Sequence, residues 1–328
     1  MPAIITHYSY CINVMRNKDS RYKDATILGS QGPDPFFFYG QIPWKKRKHK
    51  EDVNSYGMTL HHMDITDTYL ALMDYANNAG EDKELLWAFI EGLLIHYSMD
   101  RNCHPFIFAK SGFTDKEEDK KLWSLSHMWY ETLLDNIIGK KYGTLTIYAG
   151  EKYLKIDNKM LLKISKMWEV VNKKIHVKDN INEKAFYQSV HDYKTAMKIT
   201  NVPHGFSFWF TKHIMGDYSQ SHRMNIPLNM PKMYENIDFL NIEHKEWPNC
   251  VTGEMRTESF LDLWDKAEKD YKNACVLLDK AKNGVDISKE FKEYIANIDH
   301  DGFEPEQKMT YQDVVWEWPE KETLKKAS

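Results

Sequence analysis

Cysteine is scarce in this chain of 328 residues, and its four copies, Cys11, Cys103, Cys250 and Cys275, are scattered. No pair has the spacing of a zinc finger, so a thiolate-rich structural site is excluded. Long apolar runs are also missing, and none approaches the length of a membrane span. Positive charge is not in excess: Lys and Arg number 44 against 48 Asp and Glu, a net charge of -4. That balance points away from double-stranded nucleic acid as a partner. Met1 to Tyr10 has neither a basic start nor a long apolar stretch before a small-residue cleavage site, so a cytoplasmic location is expected. There is no internal repeat and no low-complexity segment. Hydrophobic residues at 42% and aromatic residues at 13% instead describe a globular chain. It is long enough for one large domain or two, with an ample core.

Histidine paired with carboxylate is what the chain does have. His96 stands four residues before Asp100, His104 four residues after it, and His127 four residues before Glu131. Positions four apart share one face of a helix, one turn apart, so an imidazole and a carboxylate so placed can share a cation. Leu85, Leu86, Trp87, Phe89, Ile90, Leu93, Leu94 and Ile95 make the first of these helices apolar on most sides, hence buried. A carboxylate there needs a partner, because an unpaired buried charge is costly. Pro105 disfavours helical backbone at the residue before it. The sequence therefore predicts that this helix ends near His104, which then turns away to serve a second ion.

Further candidates lie upstream. His7 sits near the edge of the apolar face formed by Ile4, Ile5, Tyr8, Cys11, Ile12 and Met15; taken alone it reads as a hydrogen-bonded core histidine. Asp34 is held between Pro33 and Pro35, either as a turn residue or as a ligand or base with a fixed backbone. Phe36 to Phe38 behind it are core or an apolar lip. Lys45 to Lys50 form a basic run, a solvated loop or an attractor of anions. His61 and His62 are adjacent, so only one of them can face a given site from a regular helix. Cys103, between Asp100 and His104, reads as a small core residue.

Helical periodicity covers about residues 3–16, 82–102, 158–175, 184–198 and 257–282, and residues 60–67 lead into a helix with Leu70, Leu72, Met73 and Tyr75. A capping box at Thr114 to Glu117 opens a further helix that stops near Gly139. Residues 142–155 read as a short strand or extended loop, 204–250 resist assignment, and the tail after 300 reads as polar and loosely packed. The expected fold class is all-α, multi-helical.

Collected, the candidates are His7, Asp34, His61, His96, Asp100, His104, His127 and Glu131, all nitrogen or oxygen donors suited to zinc. This set resembles the zinc-dependent phospholipases C, whose fold is shared by single-strand zinc nucleases. His96, Asp100 and His104, then His127 and Glu131, look like the family's central signature. Leu60-His61-His62-Met63-Asp64 looks like its His-x-x-Asp segment, Gly32-Pro33-Asp34-Pro35 like its ligand-bearing loop, and Thr6-His7-Tyr8 like its N-terminal ligand. The resemblance covers roughly residues 5–135 and implies a bundle around about two or three zinc ions. Asp34, His61, His96 and Asp100 would hold the first, and His104, His127 and Glu131 the second. His7 with a bridging Asp100 would hold the third. Secreted members add an N-terminal tryptophan to the third ion, where this chain begins Met1-Pro2.

The resemblance also implies that Asp34 is the general base for a metal-bridged water in phosphodiester hydrolysis, the substrate being a phospholipid head group or a small phosphodiester. Residues 1–200 would be the catalytic core and 201–328 a helical extension packed on it. Two other expectations stand beside this one: a single-strand nuclease of the same fold, and a non-catalytic helical protein with structural zinc. Structural sites are closed and usually rich in cysteine, which this donor set is not.

Overall fold

The computed structural model describes residues 4–112, 120–146, 148–200, 234 and 236–310. The capping box at 114–117, most of the aromatic region 204–250, and Trp316 and Trp318 lie outside them. The regular structure of the described chain is helical: α1 Ile4–Val14, α2 Lys23–Gly29, α3 Lys50–His61, α4 Thr66–Asn77, α5 Lys83–Ser111, α6 Lys120–Lys141, α7 Ala149–Tyr153, α8 Asn158–Ile175, α9 Ala185–Thr200, α10 Phe260–Lys282 and α11 Ser288–Ile295. The all-α expectation holds. A two-residue hairpin, Trp247–Pro248 against Met255–Arg256, is the sheet among the described residues. No described helix is long and apolar enough to cross a membrane.

Helix α5 is the axis. Its residues from Leu85 to Ser111 are almost all buried, with α2 and α10 lying against it. The crossing with α2 depends on two glycines. A Cβ on Gly92 would meet the Thr26 carbonyl at 2.2 Å, and one on Gly29 would meet the Phe89 carbonyl at 2.2 Å. Only glycine allows backbones to approach so closely. On the other side, Arg101 pairs with Asp270 of α10, whose carboxylate also accepts from the Asn102 amide at 3.0 Å.

Helix α5 does not end near His104, as the proline rule predicts, but runs on to Ser111 with Pro105 inside it. Proline at 105 cannot donate to the Arg101 carbonyl. Gly302 packs there: a Cβ on it would stand 2.4 Å from that carbonyl and 2.9 Å from the Pro105 ring. Phe106, Ile107, Phe108 and Ala109 are buried beyond the proline, so their burial favours keeping the helix going. Residues 27–40 contain the end of α2 and a 3-10 turn, Asp34–Phe38. Two other expectations also change. Residues 142–155 contain α7, not a strand. Residues 299–303 are mostly buried, not loosely packed.

Phe36 and Phe38 are core. Phe36 lies edge-on to Tyr56 and Trp168, and Phe38 stacks on Tyr193 at 3.7 Å. The basic run is partly committed as well. Arg47 donates to Asp192 of α9 through Nε at 3.1 Å and Nη2 at 2.8 Å, Lys45 at 3.4 Å, and the Gly40 amide at 3.0 Å. Burial works to raise the Asp192 carboxyl, but Arg47 and the Gly40 amide outweigh it and hold the group below its ordinary value. A depressed folded-state value means stability present at neutral pH and lost as pH falls through that value. Asp192→Ala is therefore expected to cost about 2 kcal/mol in urea unfolding at neutral pH. The gap to wild type should narrow as the medium becomes acid. An unchanged midpoint at neutral pH would show that the clamp carries no stability.

Candidate metal centre

Five elements bring the eight candidate residues together. His7 comes from α1, Asp34 from the 3-10 turn, and His61 from the last residue of α3. His96, Asp100 and His104 come from successive turns of α5, and His127 and Glu131 from α6. Helix α1 is tied to α6 at its start. Asp135, one turn past Glu131, accepts the Ile5 amide at 3.2 Å, the Thr6 amide at 2.8 Å and the Thr6 hydroxyl at 2.7 Å. These are amide groups that the first turn of a helix leaves unpaired, and the carboxylate there also suits the helix dipole.

The donors fall into three groups whose ligand atoms lie within 4.8 Å of one another: His7, His96 and Asp100; Asp34, His61 and His96; and His104, His127 and Glu131. Within them, His96 Nε2 lies 2.8 Å from Asp100 Oδ2, and His7 Nε2 lies 3.2 Å from Asp100 Oδ1. His61 Nε2 lies 3.0 Å from Asp34 Oδ1, and His127 Nε2 lies 3.3 Å from Glu131 Oε1. His104 does not turn away from Asp100 by leaving the helix; its Nε2 stands between Asp100 at 3.9 Å and Glu131 at 3.7 Å. His96 belongs to two of the groups, so it, as well as Asp100, links neighbouring positions.

The histidines are aimed from behind. Nδ1 of His61 bonds the Gly57 carbonyl at 2.8 Å, that of His96 the Ser30 carbonyl at 3.2 Å, and that of His104 the His300 carbonyl at 2.7 Å. A backbone acceptor on Nδ1 places the proton there and leaves Nε2 as a lone-pair donor, the arrangement found behind metal-bound histidines. Electrostatics keep the carboxylates of the set ionised. Burial works to raise the Asp100 carboxyl, yet His96, His104 and His7 prevail and hold it well below the usual carboxylate range. Asp34 is likewise held low against burial by His61 and His96. Burial pushes His96 down, whereas Asp100 and Asp301 overcome burial at His104 and raise it well above an ordinary imidazole. Buried carboxylates kept ionised beside buried imidazoles form a compact set of hard and borderline donors with no thiolate, which fits zinc.

His62 looks elsewhere. Its side chain is 47% exposed and its Nδ1 pairs with Asp301 Oδ2 at 3.0 Å, while Asp301 Oδ1 lies 3.4 Å from His104 Nδ1. Asp299, His300 and Asp301 had no place in the expected site. The signal was present as a histidine between two acids before Gly302, but nothing local ties that loop to helices some 200 residues earlier.

The family model described as zinc dependent phospholipase C matches residues 5–199, more than half of the chain. The chain belongs to this family. The match spans all eight candidate residues and stops before the loop that carries His300. No curated protein and no solved structure gives a match.

Proposed function

We propose that this family member is a zinc-dependent phosphodiester hydrolase that binds about two or three ions through His7, Asp34, His61, His96, Asp100, His104, His127 and Glu131. The observation that carries this is the buried donor set, in which three histidines offer Nε2 from backbone-anchored rings. Zinc held there supplies charge that polarises a phosphoryl oxygen and makes a water acidic enough to attack at neutral pH. The protein's own groups then have separate tasks. Asp100 joins the His7 and His96 positions and sets their spacing. His104, His127 and Glu131 form the second position. Asp34, backed by the rigid Pro33–Pro35 turn, holds a carboxylate oxygen ready to accept a proton from the attacking water.

The substrate class is a phospholipid head group or another small phosphodiester. Single-strand nuclease action would want stacking aromatics and a basic groove. Phe36 and Phe38 are spent in the core, and Lys45 and Arg47 on Asp192, which favours the first class. A structural role for zinc is disfavoured by groups of three donors each without cysteine, which leave ligand positions open.

The test is elemental analysis of protein purified with zinc, followed by turnover on phosphatidylcholine vesicles, soluble phosphodiesters and single-stranded nucleic acid. About two or more ions per chain and vesicle or small-ester hydrolysis are expected. Less than one ion per chain would sink the proposal, and hydrolysis of nucleic acid alone would move it to the nuclease class.

A further inference from the structure

The loop Ala296 to Phe303, after α11, is bound to the candidate centre at several points. The Tyr97 hydroxyl donates to the Ile298 carbonyl at 2.6 Å, the His300 amide to the His61 carbonyl at 3.2 Å, and His104 Nδ1 to the His300 carbonyl at 2.7 Å. Gly302, at φ +82°, packs on the Arg101 carbonyl left without an amide by Pro105. The loop turns on itself through Asp299, whose Oδ1 accepts the Asp301 amide at 2.8 Å. Every helix it touches in this way carries a candidate ligand.

The side chain it delivers is the anomaly. His300 is 2% exposed, and neither ring nitrogen has a hydrogen-bond partner among the described residues. Its ring centroid lies 5.0 Å from that of His61 and 5.5 Å from that of His96, the two histidines of the Asp34 group. His300 is not itself a member of the three-donor groups. A buried polar atom without a partner costs about 1–3 kcal/mol, and an apolar side chain of like size would avoid that cost. Core packing alone does not account for an imidazole here.

We propose that His300 is a residue of the metal centre supplied from outside the family-matched region: it hydrogen-bonds what the Asp34–His61–His96 position binds, and so locks the 296–303 loop over that position. His300 is then a positioning residue, and its role rests on the centre holding metal.

Zinc alone is the probe. Competition against a chromophoric chelator gives the affinity of the wild-type chain, His300→Leu and His300→Gln, and urea unfolding gives the stability of each without metal. His300→Leu is expected to bind zinc about 10–100-fold more weakly, the usual range for groups behind a metal ligand. Its metal-free stability should be equal or higher. His300→Gln, which keeps a donor and an acceptor, should lose less affinity. A residue that merely fills the core gives the opposite outcome, lower metal-free stability with zinc affinity unchanged, and that would overturn the proposal. Amide exchange of the wild-type chain tests it without any variant. Zinc should slow exchange across 296–303, and slowing at His61 and His96 without slowing in the loop would also overturn it. Should the wild-type chain bind no zinc, the functional proposal fails rather than the assignment of His300 alone.

Discussion

Asp34→Asn is expected to leave the chain folded and to cut phosphodiester turnover by at least about 10²-fold, the lower end of what a positioned general base contributes. Asparagine is the right substitute because it keeps the size of the side chain, which stands 3.0 Å from His61 Nε2, and can offer that nitrogen an amide N–H. It removes the charge and the ability to take a proton. The backbone should not shift, since Pro33 and Pro35 fix it on both sides and the Asp34 amide donates to the Gln31 carbonyl at 3.3 Å. His62→Ala is the companion variant. It removes a half-exposed ring whose partner, Asp301, still lies 3.4 Å from His104 Nδ1, so its effect on turnover should be small. Both are compared with wild type on one phosphodiester at saturating zinc, with circular dichroism as the check on folding. Near-normal turnover in Asp34→Asn, or greater damage from His62→Ala, would remove Asp34 from the role of base.

What the sequence made legible follows from the range of the interactions involved. His96, Asp100, His127 and Glu131 were readable because spacing by four residues on an apolar helix is local information. His7, Asp34 and His61 were not readable from spacing: each alone fits a satisfied core histidine or a turn carboxylate, and only the family pattern joined them. The end of α5 was misread because the proline rule weighs local backbone. It could not include the burial of Phe106 to Ala109 or Gly302 packed on the Arg101 carbonyl, 201 residues beyond it in the chain. The same blindness hid His300. A loop that reads as polar from its own residues is buried because two ligand-bearing helices, α3 and α5, meet over it, which is tertiary information. The basic run shows the converse case. Its charge invites an external anion, yet the anion that Lys45 and Arg47 meet is Asp192 of the same chain.

Stripping the metal is expected to lower the melting temperature by several degrees, and Asp100→Asn to do so by more. The candidate ligands lie on α1, α3, α5, α6 and the Asp34 turn, so an ion held by two or three of these elements resists their separation. By mass action a site kept at about a thousandfold its Kd contributes about 4 kcal/mol, and unfolding must give that up. Without metal the carboxylate of Asp100 remains as the counter-charge to His7 and His104, both of which it raises against the effect of burial. Removal of metal alone therefore leaves a buried but balanced cluster. Asp100→Asn removes the counter-charge as well, and a buried charge deprived of its partner costs about 3–5 kcal/mol. The variant should be less stable than wild type even after both have been treated with chelator, whereas Asp34→Asn should differ little from wild type in that state. Calorimetry with chelator, then with zinc restored, separates these contributions. A melting temperature unmoved by verified removal of metal would mean that no ion bridges these helices. If Asp100→Asn and wild type melted together in chelator, Asp100 would not be the counter-charge of the cluster.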